Sequence, residues 1–525
     1  MQYNLAYGRE QLTVELPEKN VVKVLKIQPA TALEDPLDAV FDVLEEPIEA
    51  EPLAAVAEGK KSACVVICDA TRPVPNSLIL PPILQTLEDA GVDLPKITIL
   101  IATGLRRTST AEERLEIIGE DIMLRKFKVS DHSARKLHQH EYLGVTKNGT
   151  PIWIDRRYLE AEIKILTGVI EPHSIAGFSG GRKSICPGIA AIETVVPCYA
   201  PNLLDHESVQ PGSVDGNPVH AEQMEIARKA GCDFIVNVIL NQDHKIAKVV
   251  GGHMNQAFLE GVSIARKRHT DTLEKQVDIV VTSGGGSPYD KTWHQTIRGI
   301  IGALDILKPG GTVIIASACE EGIGGGEDFG KIAEQFSSID EFMEAIATDQ
   351  SFVEQWQLIE LAKVLRRGKV KVVSGNIPAE TLQKFFVIPC TSVEEAVTES
   401  LAEYGADATI AVIPQGPRVL ALAKHKEPVL QNLEPKKPET KKAETKKAEP
   451  KKEEPIVEEP EIVAQEQEPE VEEVKEPVVK KAVTKKATKK TETKEAEPKK
   501  AEPKKAAAKK ATKKTTKKVG SEPEA

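Results

Sequence analysis

Seven short runs of aliphatic and β-branched residues punctuate the chain: Ser62–Cys68 (SACVVIC), Lys96–Ile101, Ile163–Leu166, Val277–Thr282, Thr312–Ala316, Val370–Val373 and Ala408–Ile413. They are nearly continuous rather than strictly alternating, which predicts strands buried on both faces, as in a parallel sheet. Between them lie stretches of helical period. In Thr110–Gly119 (TAEERLEIIG), Ser109 with Glu112 three residues on predicts a capping box, and Gly119 predicts a stop. Strand, loop, helix, strand is the order of an α/β fold. The polar run Arg266–Lys275 separates helix-like Gln256–Ala265 from the strand at Val277, so a boundary is expected there. The predicted architecture is two α/β domains, residues 1–270 and 275–425, with parallel or mixed sheets and a site in the cleft between them.

Composition changes this picture at the C-terminal end. The chain has 525 residues and a formal charge of −11, but residues 431–525 hold 26 Lys and 21 Glu with no Asp, Arg or aromatic residue. That segment has too little apolar surface to offset the entropy of ordering it, so residues 426–525 are expected to be a disordered Lys/Glu/Ala/Pro-rich tail. Its Lys480–Lys518 part carries 17 Lys against 4 Glu. Such a stretch could neutralise phosphates on nucleic acid or another polyanion, or fold back on the acidic Glu453–Glu476. The seven cysteines contain no Cys-x-x-Cys pair, and reduced, mostly buried thiols are expected. No run reaches the roughly 18 apolar residues of a membrane span, and the N-terminus has no apolar secretion core. No membrane contact and a cytoplasmic location are expected.

The candidate chemistry lies at the strand ends, where ligands sit in open α/β sheets. The densest loop runs from Glu171 to Ala190 (EPHSIAGFSGGRKSICPGIA), with His173, Lys183 and closely spaced glycines whose N–H groups could approach an anion. Arg182 precedes the lysine where a Walker A loop needs glycine, which disfavours ATP hydrolysis. Asp69-Ala-Thr-Arg-Pro places a carboxylate and a guanidinium three residues apart, either to hold an anion through Arg72 or to pair internally and shape the turn. After Gly284-Gly-Gly-Ser-Pro, Gln295 and Arg298 lie one helical turn apart and could point an amide and a cation into the cleft.

Taken together these loops resemble the nickel-dependent lactate racemase family. The resemblance is carried by Tyr7-Gly8, Asp69-Ala-Thr-Arg-Pro-Val-Pro, Ala102-Thr-Gly, Glu171-Pro-His through Pro187-Gly-Ile, Gly216-Asn-Pro, Trp356-Gln and Pro414-Gln-Gly-Pro. It implies an isomerase that inverts C2 of a 2-hydroxy acid by hydride transfer to and from a nickel-pincer nucleotide, a pyridinium mononucleotide with two thiocarboxyl arms supplied by cofactor-synthesis enzymes. The cofactor tether then falls on Lys183, a catalytic histidine on His173, and the nucleotide-holding turn on Asp69, Ala70, Thr71 and Arg72. Gln295 and Arg298 match positions that orient the substrate, and Trp356 matches an aromatic wall of the pocket.

Besides Arg298, which stands where the family usually has Lys, three positions depart from the family pattern. Its second catalytic histidine is Arg106 here, whose guanidinium cannot act as a base near neutral pH, with His132 the other candidate for that role. Its nickel-ligand histidine falls on Tyr199, with Cys198 and His206 as alternatives. Beside Gln295 stands His294 where the family usually has Tyr. The alternative reading is a relative that binds or converts a different organic acid in the same cleft.

Overall fold

The computed structural model describes residues 1–424 apart from 126 and 349–351, so the tail expected at 426–525 lies outside the described residues. Two six-stranded sheets organise the described chain. The first has the order Ile246–Gly252, Phe234–Leu240, Ile163–Val169, Ala63–Cys68, Ile97–Ala102, Lys128–Asp131, parallel except for the antiparallel edge pair made by the first two. The second has the order Ile388–Cys390, Lys369–Val373, Leu307–Ala316, Val277–Ser283, Ile410–Ile413, Val21–Val24, and is parallel throughout.

Each of the seven apolar runs lies within or overlaps one of these strands, and the burial pattern explains why they do not alternate. Along the first sheet, Val65, Ile67, Ile99 and Ile101 enter one apolar cluster while Cys64, Val66, Leu100 and Leu166 enter another. In the second sheet Ile279, Val281, Ile314 and Val412 face a third cluster, and Val280, Val313, Ile315 and Ala411 face the cluster shared with the first sheet. Every central strand is therefore covered on both faces, which selects apolar residues at every position. The shared cluster continues from one lobe to the other.

Three local findings refine the sequence expectation. The capping box is formed by Thr110 and Glu113, not by Ser109 and Glu112. Ser109 instead donates its hydroxyl to Asp131 at 2.7 Å, so Thr110 is the first hydroxyl free to cap. The polar run at 266–275 is regular structure for most of its length: the helix Gln256–His269 ends within it, and Thr270–Leu273 then pairs in parallel with Leu420–Ala423. Buried His269 anchors this crossing, its Nδ1 lying 2.6 Å from the Arg418 carbonyl. The third difference lies at the N-terminus. After the hairpin Gln2–Tyr7/Glu10–Glu15, the strand Val21–Val24 joins the second sheet beside Ile410–Ile413, so the first sheet is inserted within the chain of the second. No described helix is long and apolar enough to cross a membrane, and all seven cysteines are free.

Candidate active site between the lobes

The carboxyl ends of the first sheet and the start of the helix Trp293–Ile301 face a shared cavity of ≈ 150 Å³. Asp69, Arg72, Arg106, His173, Lys183 and Tyr199 line it from the first lobe, and His294, Gln295, Arg298, Glu354 and Trp356 from the second.

Asp69 and Arg72 are neighbours in the chain, but the turn sends them to different partners. Arg106 grips the Asp69 carboxylate with two donors, Nε at 2.6 Å and Nη2 at 3.1 Å, while Thr71 Oγ1 donates to it at 2.6 Å. Burial raises the Asp69 pKa, but Arg106 and Thr71 outweigh that effect and hold it below the ordinary value. Arg72 pairs instead with Glu171, and Tyr289 of the second lobe donates its hydroxyl to the other Glu171 oxygen at 2.5 Å. A buried carboxylate thus ties the two lobes together at the cavity's edge. Ala70 and Thr71 are not among the cavity-lining residues, and Thr71 acts through Asp69.

The glycine-rich loop is shaped by groups distant in sequence. Gly180 has φ 88°, and a Cβ there would lie 2.4 Å from Asn237 Oδ1 and 2.8 Å from Ile170 Cγ1. The same Asn237 oxygen accepts from Gly181 N–H at 2.8 Å. This turn leads into the short helix Gly181–Ser184 and delivers Lys183 to the cavity. The Lys183 ammonium has no ion pair or hydrogen bond among the described residues. Its pKa lies well below the lysine range because it is buried and because Arg72 and Arg182 are close. Arg182 itself is fully buried, with Nη2 on the Ala176 carbonyl at 2.8 Å and its guanidinium over the Phe258 ring at 4.3 Å.

His173 Nδ1 accepts two backbone N–H groups, from Ile175 at 3.1 Å and Ala176 at 3.2 Å. A neutral ring held this way carries its proton on Nε2 and presents a donor. Burial, then Lys183 and Arg72, push its pKa well down, so the neutral form prevails. Arg298 offers a guanidinium with no carboxylate partner among the described residues, its Nε bonding only the Gln295 carbonyl at 3.3 Å. Burial and the neighbouring Arg72 lower its pKa to about 9. Gln295 is fixed by its Nε2 on the Pro288 carbonyl at 3.0 Å.

Two expected residues are placed otherwise. His132 is fully buried behind the cavity: its N–H bonds the Ile101 carbonyl at 3.0 Å, and its Nε2 lies 2.9 Å from His140 Nε2. The strand Lys128–Asp131 ends at that point, so the chain turns His132 inward rather than toward Arg106. Tyr199 does reach the cavity, but as a neutral phenol: burial raises its pKa well above 10, and Gln223 Nε2 donates to its oxygen at 3.0 Å. Its ring leans on Trp356, with centroids 5.1 Å apart, so the two form an aromatic wall of the cavity.

Glu354, Asn237 and Tyr289 are site residues that sequence reasoning missed. Only Asn237 left a signal, as the single polar residue in the apolar run FIVNVIL.

The lobes and their cleft define a two-lobed α/β protein whose shared cavity holds a lysine and an arginine without carboxylate partners among the described residues. A family model described as the lactate racemase N-terminal domain matches residues 7–209, and one described as the lactate racemase C-terminal domain matches residues 272–421. The chain belongs to the lactate racemase family. It is 32% identical over 425 residues to the lactate racemase of Thermoanaerobacterium thermosaccharolyticum, covering 80% of this chain and 99% of that one. It is 30% identical over 417 residues to that of Lactiplantibacillus plantarum, covering 79% and 98%. The solved apoprotein of the Thermoanaerobacterium enzyme superposes with a TM-score of 0.74 at 31% identity, over 80% of this chain and 100% of that one. A Thermotoga maritima protein of solved structure shares the fold at a TM-score of 0.58 and 16% identity.

Proposed function

We propose that this chain is a racemase or epimerase of a 2-hydroxy acid, working in the cytoplasm with a nickel-pincer nucleotide tethered to Lys183. The observation that carries the reading is the Lys183 amine, partly buried, without a partner among the described residues and held below the ordinary lysine pKa in the same cavity as His173 and Arg298. An uncharged amine is the form that makes a covalent bond. The residues fit such a group: the Gly180–Gly181 turn, packed against Asn237, Ile170 and Phe258, delivers Lys183 to the cavity, and Arg72 stands beside the lysine. Tyr199 does not supply an imidazole, so nickel held here would rely on the cofactor's own atoms. When bound, the cofactor provides an acceptor for the hydride on C2 of the substrate.

The chain's own residues supply orientation and charge. Arg298 is the group for the substrate carboxylate, with Gln295 beside it and the Tyr199–Trp356 wall excluding water. His173 presents Nε2–H to the substrate oxygen. Taking a proton at Nε2 would require the ring to release the Ile175 and Ala176 amides. The substrate is a small 2-hydroxy acid, and Arg106, satisfied by Asp69, is not a base.

Intact-mass analysis after co-production with cofactor-synthesis enzymes tests the reading. An adduct lost in Lys183→Ala, together with bound nickel, is expected; no adduct and no nickel on the wild type would overturn it. Inertness toward both enantiomers of lactate, malate, glycerate, sugar acids and aromatic hydroxy acids would favour a relative that binds or converts a different organic acid, the reading to which the Arg106–Asp69 pair points. The basic tail is proposed to bind nucleic acid or another polyanion, and DNA retention at two salt concentrations should fall on deletion of 431–525.

A further inference from the structure

Resting on the racemase reading above, we propose that His294, oriented by Glu354, takes and returns the hydroxyl proton of one of the two substrate enantiomers. If the carboxylate and the hydride acceptor stay fixed, mirror-image substrates point their hydroxyls at different walls of the cavity, so one base cannot serve both. His173, with Nδ1 already engaged by two amides, stands as a donor on one wall. On the second lobe, His294 lines the same cavity.

The surroundings of His294 are those of a positioned base. Its Nε2 is buried without a hydrogen-bond partner and lies 3.8 Å from Glu354 Oε1. A proton on Nε2 directed at that carboxylate leaves the Nδ1 lone pair for the substrate, and Nδ1 bonds no protein group among the described residues. Glu354 is 1% exposed and holds a left-handed backbone conformation, φ 67°, at the head of the helix Gln355–Leu365. Strain of this kind in a bulky residue persists where the surroundings impose it and clusters at functional sites. The loop before it is built to leave room for the pair. A Cβ on Gly325 would meet Glu354 Oε2 and His294 Cδ2, each at 3.1 Å, and one on Gly326 would meet Glu354 Oε2 at 3.0 Å. Gly326 N–H donates to that oxygen, and Phe329 packs its ring against the His294 ring at 4.9 Å. The charged groups facing the imidazole are Arg106, Arg298 and Glu354; burial and the two guanidinium groups lower its pKa to about 3, so it waits as the free base.

In the step assigned to it, the substrate O–H bond breaks and its proton passes to His294 Nδ1. The C2 hydrogen would leave with the bonding pair as hydride to a bound pyridinium nucleotide, and the oxygen lone pair freed by the proton transfer would close the carbonyl. The hydroxy acid is oxidised to the 2-oxo acid and the nucleotide is reduced. Return of hydride to the other face gives the inverted product when the carbonyl oxygen takes a solvent proton at the opposite wall and His294 releases its own proton to solvent.

The test is a single turnover of each pure enantiomer with cofactor-loaded enzyme in excess, acid-quenched, with the 2-oxo acid quantified. His294→Gln should slow oxidation of one enantiomer about 10²- to 10⁴-fold, the usual range for a lost acid–base group, and leave the other within about threefold. Glu354→Gln should slow the same enantiomer less. Equal loss for both enantiomers, or none, overturns the proposal. Wild type that makes no 2-oxo acid from any acid tried overturns the racemase reading and the proposal with it. In apoprotein, Glu354→Gln should also shift the ¹⁵N resonances of the His294 ring, assigned by their absence in His294→Gln; unmoved resonances would overturn the positioning role even where a variant is poorly active.

Discussion

Gly180→Ala tests whether the loop that delivers Lys183 is fixed by its backbone. At φ 88° and ψ 175° the backbone lies in a region essentially reserved for glycine, where a Cβ costs about 1–3 kcal/mol from local sterics alone. The same Cβ would sit 2.4 Å from Asn237 Oδ1 and 2.8 Å from Ile170 Cγ1, both in buried residues, and forcing apart a packed interior adds about 1–3 kcal/mol. Gly59→Ala provides the control, because Gly59 has φ 75° but nothing within 4 Å of the added atom. The entropy that alanine removes from the unfolded chain is common to both variants and cancels. Urea unfolding followed by circular dichroism should therefore place Gly180→Ala about 1–3 kcal/mol below Gly59→Ala. It should also reduce cofactor adduct on Lys183, while Gly59→Ala should not. Stabilities of the two variants equal to within about 0.5 kcal/mol would refute the claim that Asn237 and Ile170 determine this turn.

Tyr289→Phe removes one hydrogen bond to a buried carboxylate and should cost about 1.5–3 kcal/mol in the same unfolding assay; a loss below about 0.5 kcal/mol would mean that Arg72 alone satisfies Glu171. Because folding lowers the Asp69 pKa, its contribution to stability is full above the unfolded value of about 3.9 and is lost as pH falls through the folded value. In Arg106→Met burial is left opposed by fewer partners, so the stability gap between wild type and variant should narrow on acidification below about pH 4; a gap independent of pH from 6 to 3, measured by urea titration, would count against the pairing. Arg298→Met should raise KM for the substrate acid, tested in steady-state assays of loaded enzyme, because it removes the one cavity guanidinium without a carboxylate partner; an unchanged KM would move the substrate carboxylate elsewhere.

What could be read from the sequence follows the range of the forces involved. The buried strands declared themselves because each has two apolar faces, and the His173–Lys183 loop because its glycines and charges are adjacent in the chain. Asp69 and Arg72 show the limit. Three residues apart, they read as a pair, yet the strand end turns them toward Arg106 and Glu171, contacts that only the assembled sheet creates. Glu354 could not be found for the same reason: its role depends on a backbone conformation and a glycine loop nearly thirty residues upstream. Asn237 was visible as an interruption in an apolar strand, but its purpose became clear only with Gly180 and Gly181 beside it. The misplaced helix cap came from a hydroxyl claimed by Asp131 across the loop.

The placement of Val21–Val24 in the second sheet has a consequence for the chain as it is made. This strand leaves the ribosome long before its sheet neighbour among the described residues, Ile410–Ile413, which lies 386 residues later when counted from residue 24 to residue 410. At about 5–20 residues per second, the growing chain must wait roughly 20–80 s before the pairing can form. The first sheet has all its strands well before then and can fold as a unit, so a nascent molecule consists of a finished lobe carrying an unpaired leading strand. During that interval the leading strand is open to pairing with other edges, and chaperone contact or misassembly during synthesis should concentrate there.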